Sequence, residues 1–206
     1  MRAGLGRARA SNEPINFYSR DRIQSRARST HMVPHNHIPL VILIGLPGSG
    51  KSTIAHRWQM REPGRYIIST DDIRQELFGN AATQGPWPAI WREVCNRWER
   101  AIAAIRRGEQ QAVLFDATHA NRRDRRRTIE TAQQLGFTTI DGYWLDIPLE
   151  TCVGRNRQRS RQVPEFVIRR MNQQLQGQPP HVNEGFDHVY TVIPTAINDM
   201  WQTSRD

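Results

Sequence analysis

A glycine-rich segment, GLPGSGKST at residues 45–53, constrains the fold of this chain more than any other part of its sequence. It matches the pattern G-x-x-x-x-G-K-[ST] without a mismatch, and it lies between an apolar segment and a segment with helical character. Glycines in such a turn let backbone N–H groups face an anion, and the following helix points its positive end at the same anion. The segment therefore predicts a loop that binds a nucleoside triphosphate through Gly45, Leu46, Pro47, Gly48, Ser49, Gly50, Lys51, Ser52 and Thr53.

Lys51 is the only lysine in the chain, and the other 28 basic residues are arginine. A lysine amino group is a compact charge on a flexible stem, whereas a guanidinium is planar and bulkier. Lysine can therefore reach the β- and γ-phosphates inside a narrow loop where arginine does not fit. We predict that Lys51 contacts the transferred phosphate and that the Ser52 hydroxyl binds Mg²⁺.

Two carboxylates follow predicted strands. Asp71 comes just after a strand at residues 65–69, and Asp116 ends a strand at residues 111–116. Ligands of an open α/β sheet bind beyond the carboxyl ends of its strands, so we expect Asp71 to accept the proton of an attacking hydroxyl. Arg74 shares a helix face with Asp71 and is expected to hold the acceptor, while Asp116 is expected to bind Mg²⁺ or its waters. Helix capping by Asp71 and loop capping by Asp116 are the alternatives.

Two groups of closely spaced arginines, at residues 122–127 and 155–159, are candidates for contact with phosphate. Arg155 and Arg159 are four residues apart in a predicted helix at 149–161, so we expect both to close over the triphosphate from one helix face. A solvated basic face is the alternative for this pair. The run at residues 122–127 is compatible with phosphate docking or with plain solvent exposure. His119 receives no predicted role.

Predicted strands and helices alternate along the chain. This alternation indicates an α/β fold with a parallel central sheet and helices on both faces. An apolar stripe with helical spacing lies along the third helix and is predicted to be core rather than a base-stacking surface. Its residues are Trp87, Trp91, Val94, Trp98, Ile102 and Ile105. Thr70 is expected to cap the second helix. The strands are predicted at 40–45, 65–69, 111–116, 137–145 and 188–193, and the helices at 53–60, 71–78, 86–108, 121–135, 149–161 and 164–176.

Length and charge suggest one domain behind a basic tail. The chain has 206 residues and a net charge of +9, and residues 1–39 carry seven arginines against Glu13 and Asp21. We expect 1–39 to be a disordered basic tail, with Met32 as the initiator, and 40–206 to be the folded domain; a transit peptide is the alternative for the tail. The two cysteines, Cys95 and Cys152, form no disulfide or zinc pattern, and no apolar run is long enough to span a membrane. A cytoplasmic protein is expected.

Taken together, these motifs resemble the P-loop polynucleotide 5′-kinase family of the phage and bacterial RNA-repair type. GLPGSGKST resembles its Walker A motif, TDDIR its general-base block, FDATHANRR its D-x-[TN] segment, and RNRQR followed by VPEFVIRRM its arginine lid. The resemblance implies a kinase-type P-loop NTPase fold, a three-layer sandwich with an arginine-bearing helical lid. It assigns Asp71 as general base, Arg74 to an acceptor phosphate, and Arg155 and Arg159 to the γ-phosphate. It also assigns a role beside Mg²⁺ to Asp116, together with Thr118.

The resemblance implies ATP and Mg²⁺ as cofactors and the 5′-hydroxyl of RNA or DNA as the acceptor. Small-molecule kinases of the zeta-toxin and gluconate-kinase types share the D-x-x-R pattern and provide one alternative. A nucleotide-dependent switch without an acceptor provides another, although a switch needs no base such as Asp71. The resemblance does not predict any protein partner.

Overall fold

The computed structural model describes residues 37–83 and 85–192, and these form an α/β fold around one parallel sheet. The strand order is β2-β3-β1-β4-β5, and every neighbouring pair is parallel. This confirms the predicted fold class. The expected tail lies outside the described residues apart from its last three positions. The strands are β1 (Pro39–Ile44), β2 (Arg65–Ser69), β3 (Ala112–Asp116), β4 (Thr139–Leu145) and β5 (His188–Val192).

Six α-helices and one 3₁₀ turn connect the strands in the described part of the chain. None of the described helices is both long and apolar enough to cross a membrane. The helices are α1 (Lys51–Arg61), α2 (Thr70–Phe78), α3 (Trp87–Arg106), α4 (Arg122–Leu135), α5 (Leu149–Arg157) and α6 (Glu165–Gly177), and the 3₁₀ turn is Val182–Glu184.

The end of α5 differs from the prediction, because this helix stops at Arg157 and not near Arg161. The side chain of Asn156 donates to the carbonyl of Val163 (2.9 Å) and accepts from the N–H of Val163 (3.0 Å). These two bonds fold the chain back toward the helix, so it leaves the helical path. Arg159 therefore lies in a turn beyond the helix, and its N–H donates to the carbonyl of Asn156 at 3.2 Å.

The cap of α2 is also one residue earlier than predicted. The hydroxyl of Ser69 accepts hydrogen bonds from the backbone N–H groups of Asp71 (3.2 Å) and Asp72 (3.3 Å). Thr70 is already the first helical residue. Because the cap also ends β2, the strand passes directly into the helix that carries Asp71.

The sheet is covered on both faces, and four of the six residues of its central strand β1 are buried: Leu40, Ile42, Leu43 and Ile44. The predicted core stripe on α3 is confirmed for Val94, Trp98 and Ile102, which are buried. Trp87 is the exception, because it is 51% exposed and stacks on Trp91 with the ring centroids 6.0 Å apart.

The arginine run that begins α4 is exposed at Arg123, Arg126 and Arg127, which agrees with the solvent-exposed alternative, but Arg125 is an exception. Arg125 is completely buried and pairs with Glu184, which is also buried. Its guanidinium also donates to the carbonyls of His119 (3.2 Å), Ala120 (3.1 Å) and Gln178 (2.8 Å). This arginine therefore supports the loop that follows β3.

Candidate phosphoryl-transfer site

The glycine-rich loop connects the central strand β1 to α1, as the sequence predicts. Gly50 is the residue before the helix and has a φ of 99°, a conformation that favours glycine. Gly48 has a φ of 84°, and a Cβ built on it would lie 2.4 Å from the carbonyl oxygen of Cys152 in α5. Glycine is required at 48 by this contact with α5, whereas at 50 only the backbone conformation requires it.

Lys51 lies inside this loop with only 9% of its surface exposed. Its Nζ donates to the carbonyls of Gly45 (2.9 Å) and Leu46 (2.9 Å). Burial lowers the pKa of Lys51, while the negative charges of Asp116 and, more weakly, Asp71 raise it. The nearby carboxylates therefore do not fully offset the cost of burying the Lys51 ammonium group. An anion bound in the loop would stabilise its charged form.

A hydrogen bond between Ser52 and Asp116 joins the start of α1 to the end of β3. The Ser52 hydroxyl donates to Oδ2 of Asp116 at 2.5 Å, and Asp116 pairs in register with Leu43 on the neighbouring strand. A hydroxyl and a carboxylate side by side are hard oxygen donors of the kind that Mg²⁺ prefers. Within the described residues no three His, Cys, Asp or Glu side chains converge as a cage. Magnesium bound through one or two protein groups and the substrate's phosphates needs no such cage.

The two lid arginines line the same cleft as the loop. The cleft has a volume of about 500 Å³ and is bordered by residues 48–54, Arg57, Arg155 and Arg159. Arg155 comes from the last turn of α5, and Arg159 from the turn beyond it. The structure therefore brings both predicted arginines to the loop, although they do not share one helix face.

Asp71 and Arg74 lie in the first turns of α2, which starts at the carboxyl end of β2. Nη1 of Arg74 donates to Oδ1 of Asp71 at 2.8 Å and to the carbonyl of Thr70 at 3.3 Å. Nε of Arg74 is buried without a hydrogen-bond partner. Burial lowers the pKa of Arg74, the carboxylate of Asp71 opposes this, and the charge of Arg161 lowers it further. Arg74 remains protonated at neutral pH.

Arg161 is a site residue that the sequence did not identify. Its Nη1 lies 2.6 Å from Oδ2 of Asp71, and its side chain is 23% exposed. Arg74 and Arg161 therefore hold opposite oxygens of one carboxylate. The only signal in the sequence was a third arginine following Arg155 and Arg159, and its pairing with a residue 90 positions away has no local signature.

The charges at the ends of β1, β2 and β3 act on one another. Burial raises the pKa of Asp72, and the negative charges of Asp116 and Asp71 add to this effect while His56 opposes it. Arg159 lowers the pKa of Lys51, as a nearby positive charge must. The predicted loop, carboxylates and lid are thus within electrostatic range of one another.

The loop after β3 contains a strained histidine. His119 has a φ of 50°, unusual for a residue other than glycine, and its Nδ1 is buried without a partner. Burial lowers its pKa to about 4, although the backbone of Leu43 and Ala117 favours the protonated form. In the same loop, the carbonyl of Thr118 accepts from the N–H of Gly45 at 3.2 Å. This loop therefore contacts the phosphate-binding loop through its backbone.

The fold and the site define a P-loop NTPase of the kinase type. The family profile described as AAA domain (AAA_33) matches residues 40–178, well over half of the chain, and the chain belongs to this family of P-loop kinase domains. The family implies nucleotide binding with a divalent metal.

Similar proteins include L-seryl-tRNA(Sec) kinase of Homo sapiens, which is 25% identical over 213 residues. The match covers 76% of this chain and 60% of that relative, so the chain spans less than two thirds of the relative's length. A solved Pnkp1/Rnl/Hen1 RNA repair complex contains a chain that is 25% identical with a TM-score of 0.57, covering 77% of this chain and 49% of that one. A fungal RNA kinase has the same fold at 19% identity and a TM-score of 0.53, covering 76% of this chain and 75% of its own.

Proposed function

We propose that this protein is an ATP-dependent polynucleotide kinase that transfers the γ-phosphate to the 5′-hydroxyl end of RNA or DNA. The family already makes it a kinase-type phosphotransferase. The assignment of a polynucleotide as the acceptor is supported by the motif resemblance and by the names of the similar RNA-repair and tRNA kinase proteins.

One observation carries the proposal. Asp71, flanked by two arginines, stands at the end of β2, while the phosphate-binding loop and Asp116 stand at the ends of β1 and β3. These strands are neighbours in the order β2-β3-β1, so donor and acceptor groups share one edge of the sheet. A nucleotide-dependent switch would need the loop but not a carboxylate at the acceptor position.

In the proposed reaction, the side chains bind and orient the two substrates, and one of them accepts a proton. The loop and Lys51 hold the triphosphate, and Arg155 and Arg159 offset the charge on the transferring group. Asp71 accepts the proton of the attacking hydroxyl, and Arg74 holds an acceptor phosphate. The rate comes from positioning and charge, because the protein forms no covalent bond with the phosphoryl group.

The side chains at the start of α1 and at the end of β3 fit a magnesium ion. Ser52 and Asp116 would hold it, since their oxygens already lie 2.5 Å apart beside the loop. Bound Mg²⁺ would supply charge neutralisation at the β- and γ-phosphates.

A second acceptor is favoured by one of the comparisons. The human relative is named for phosphorylating a seryl-tRNA, so its acceptor is a hydroxyl carried by an RNA. A serine hydroxyl on tRNA is therefore the other acceptor to be tested for this chain.

The experiment offers γ-labelled ATP and Mg²⁺ with a panel of acceptors. The panel holds 5′-hydroxyl RNA and DNA oligonucleotides, seryl-tRNA, nucleosides, sugars and amino-sugar nucleotides. We expect label on the 5′-hydroxyl oligonucleotides. The same oligonucleotides with a 5′-phosphate are the matched control and should remain unlabelled, and Lys51→Ala should abolish transfer. Label that appears on a small metabolite alone would overturn the polynucleotide assignment.

A further inference from the structure

The carboxylate of Asp71 is held from both sides by arginines of different segments. Arg74 belongs to the same helix, α2, whereas Arg161 belongs to the segment that follows the lid helix α5. The contact with Arg161 is 2.6 Å and joins the lid side of the cleft to the acceptor side. Each oxygen of the proposed base thus contacts a guanidinium group.

This arrangement has a direct chemical consequence for the base. A carboxylate oxygen that already accepts a charge-assisted hydrogen bond is less available to orient a hydroxyl or a water molecule. A small neutral nucleophile such as water carries no charge with which to compete for Arg161. An acceptor that carries a phosphate next to its hydroxyl does carry such a charge, and guanidinium groups bind phosphate as readily as carboxylate.

We propose that Arg161 is a specificity-determining residue that holds Asp71 until the phosphate of an anionic acceptor takes its place. The inference rests on the proposed function, because it assigns Asp71 as the base of a kinase. Arg161 then binds the acceptor's phosphate together with Arg74, and Asp71 becomes free to accept the hydroxyl proton. The reaction with water is suppressed, since water cannot release Asp71.

Three features of the two arginines support an anion site. Nε of Arg74 is buried without a partner, so this guanidinium has an unused donor. The charge of Arg161 lowers the pKa of Arg74, which means that the two cations lie close enough to repel each other. Asp71 supplies one negative charge between them, and a phosphodiester would supply an equivalent charge with more acceptor oxygens.

The suppressed side reaction has a defined balance. In it the oxygen of water forms a bond to the γ-phosphorus, and the bond between that phosphorus and ADP breaks. The water's proton passes to Asp71, and the products are ADP and inorganic phosphate. Removal of Arg161 should leave Asp71 available to this reaction.

The test compares wild-type protein with Arg161→Ala in two assays. The first measures ATP hydrolysis without any acceptor, and we expect it to rise several-fold in the variant. The second measures kcat/KM for a nucleoside 3′-monophosphate and for the matching nucleoside. We expect the preference for the phosphate-bearing acceptor to fall about tenfold or more, the effect of losing one charge-assisted hydrogen bond. Arg161→Lys, which keeps the charge, should restore part of both properties.

Two controls make the result specific. Arg157→Ala removes a neighbouring arginine that is 68% exposed and pairs with Glu165, and it should change neither assay. Asp71→Asn introduced together with Arg161→Ala should remove the extra hydrolysis, because the freed base is its cause. Both effects of Arg161→Ala are required: unchanged hydrolysis, or an unchanged preference between the two acceptors, would overturn the proposal.

The failure of this inference can be distinguished from failure of the proposed function. If wild-type protein transfers phosphate to 5′-hydroxyl acceptors without preferring a neighbouring phosphate, the kinase assignment stands and the role of Arg161 is wrong. If wild-type protein transfers phosphate to no 5′-hydroxyl acceptor at all, the polynucleotide assignment fails and the role of Arg161 fails with it.

Discussion

Arg125 and Glu184 form an ion pair in which neither side chain contacts solvent. Nε and Nη2 of Arg125 donate to Oε2 (2.6 Å) and Oε1 (2.7 Å) of Glu184. The pair connects α4 to the 3₁₀ turn before β5, across 59 positions of sequence. The same guanidinium holds the loop that follows β3, so the pair also supports the strand end that carries Asp116.

Arg125→Ala should lower the free energy of unfolding by about 3–5 kcal/mol, because it removes both hydrogen bonds to the buried Glu184 carboxylate and leaves it with Arg122 at 3.8 Å. Chemical denaturation measures this loss. Arg126→Ala, at the exposed neighbouring position, is the control and should change stability by less than about 0.5 kcal/mol. A loss below about 1 kcal/mol for Arg125→Ala would contradict the importance of the pair.

Gly48→Ala should destabilise the protein and weaken nucleotide binding. The new Cβ would meet the carbonyl of Cys152 at 2.4 Å, and the φ of 84° is unfavourable for alanine. We expect a loss of about 1–3 kcal/mol, measured by thermal unfolding with and without ATP.

Gly154→Ala is the matched control for that change. Gly154 lies in α5 near the contacted carbonyl, but its Cβ would meet nothing within 4 Å. This substitution should leave stability unchanged or raise it by about 0.5–1 kcal/mol. Equal behaviour of the two variants would refute the importance of the close contact.

Asp71→Asn should strongly slow phosphoryl transfer while leaving ATP binding largely intact. The amide keeps the size of the side chain but cannot accept the proton, so kcat should fall by about 10²–10⁴. Steady-state kinetics and equilibrium ATP binding measure the two effects. Glu76→Gln changes a carboxylate on the same helix that pairs with Arg97, and it should retain activity. Undiminished transfer by Asp71→Asn would remove the general-base assignment.

Arg159→Ala should depress kcat by about 10³-fold or more, with a much smaller change in the acceptor's KM, because this arginine lines the cleft beside the phosphate-binding loop. Initial rates at varied acceptor concentration separate the two constants. A defect confined to the acceptor's KM would be inconsistent with a lid role, and Arg157→Ala again serves as the neighbouring control.

His119 should make stability fall in mild acid. Its pKa is about 4 in the folded protein, below the ordinary value of 6.5, so between these values the unfolded chain binds a proton that the folded chain does not. The contribution of His119 to the free energy of unfolding is therefore complete above pH 6.5. It decreases as the pH falls toward 4, by roughly 2 kcal/mol between pH 6 and pH 4.5. His119→Asn tolerates the positive φ and does not titrate. Denaturation curves at several pH values should show a shallower fall for this variant, and parallel profiles would contradict the shift.

The phosphate-binding loop, the parallel sheet and most element positions could be predicted, because each depends on local pattern. The remaining features depend on contacts between distant segments. Arg125 belongs to a run of arginines that looks like surface, and its burial depends on Glu184 and on three backbone carbonyls outside α4. The end of α5 depends on the bonds between Asn156 and Val163, and the pairing of Arg161 with Asp71 depends on how the lid meets α2.

The buried amino group of Lys51 has a consequence for the chemistry of the whole chain. It is the only side-chain amine in the sequence, and it sits between the carbonyls of Gly45 and Leu46. Acylation, glycation or any other covalent modification of a lysine can therefore occur only in the phosphate-binding loop. Any lysine modification of this protein is therefore a modification of the phosphate-binding loop itself.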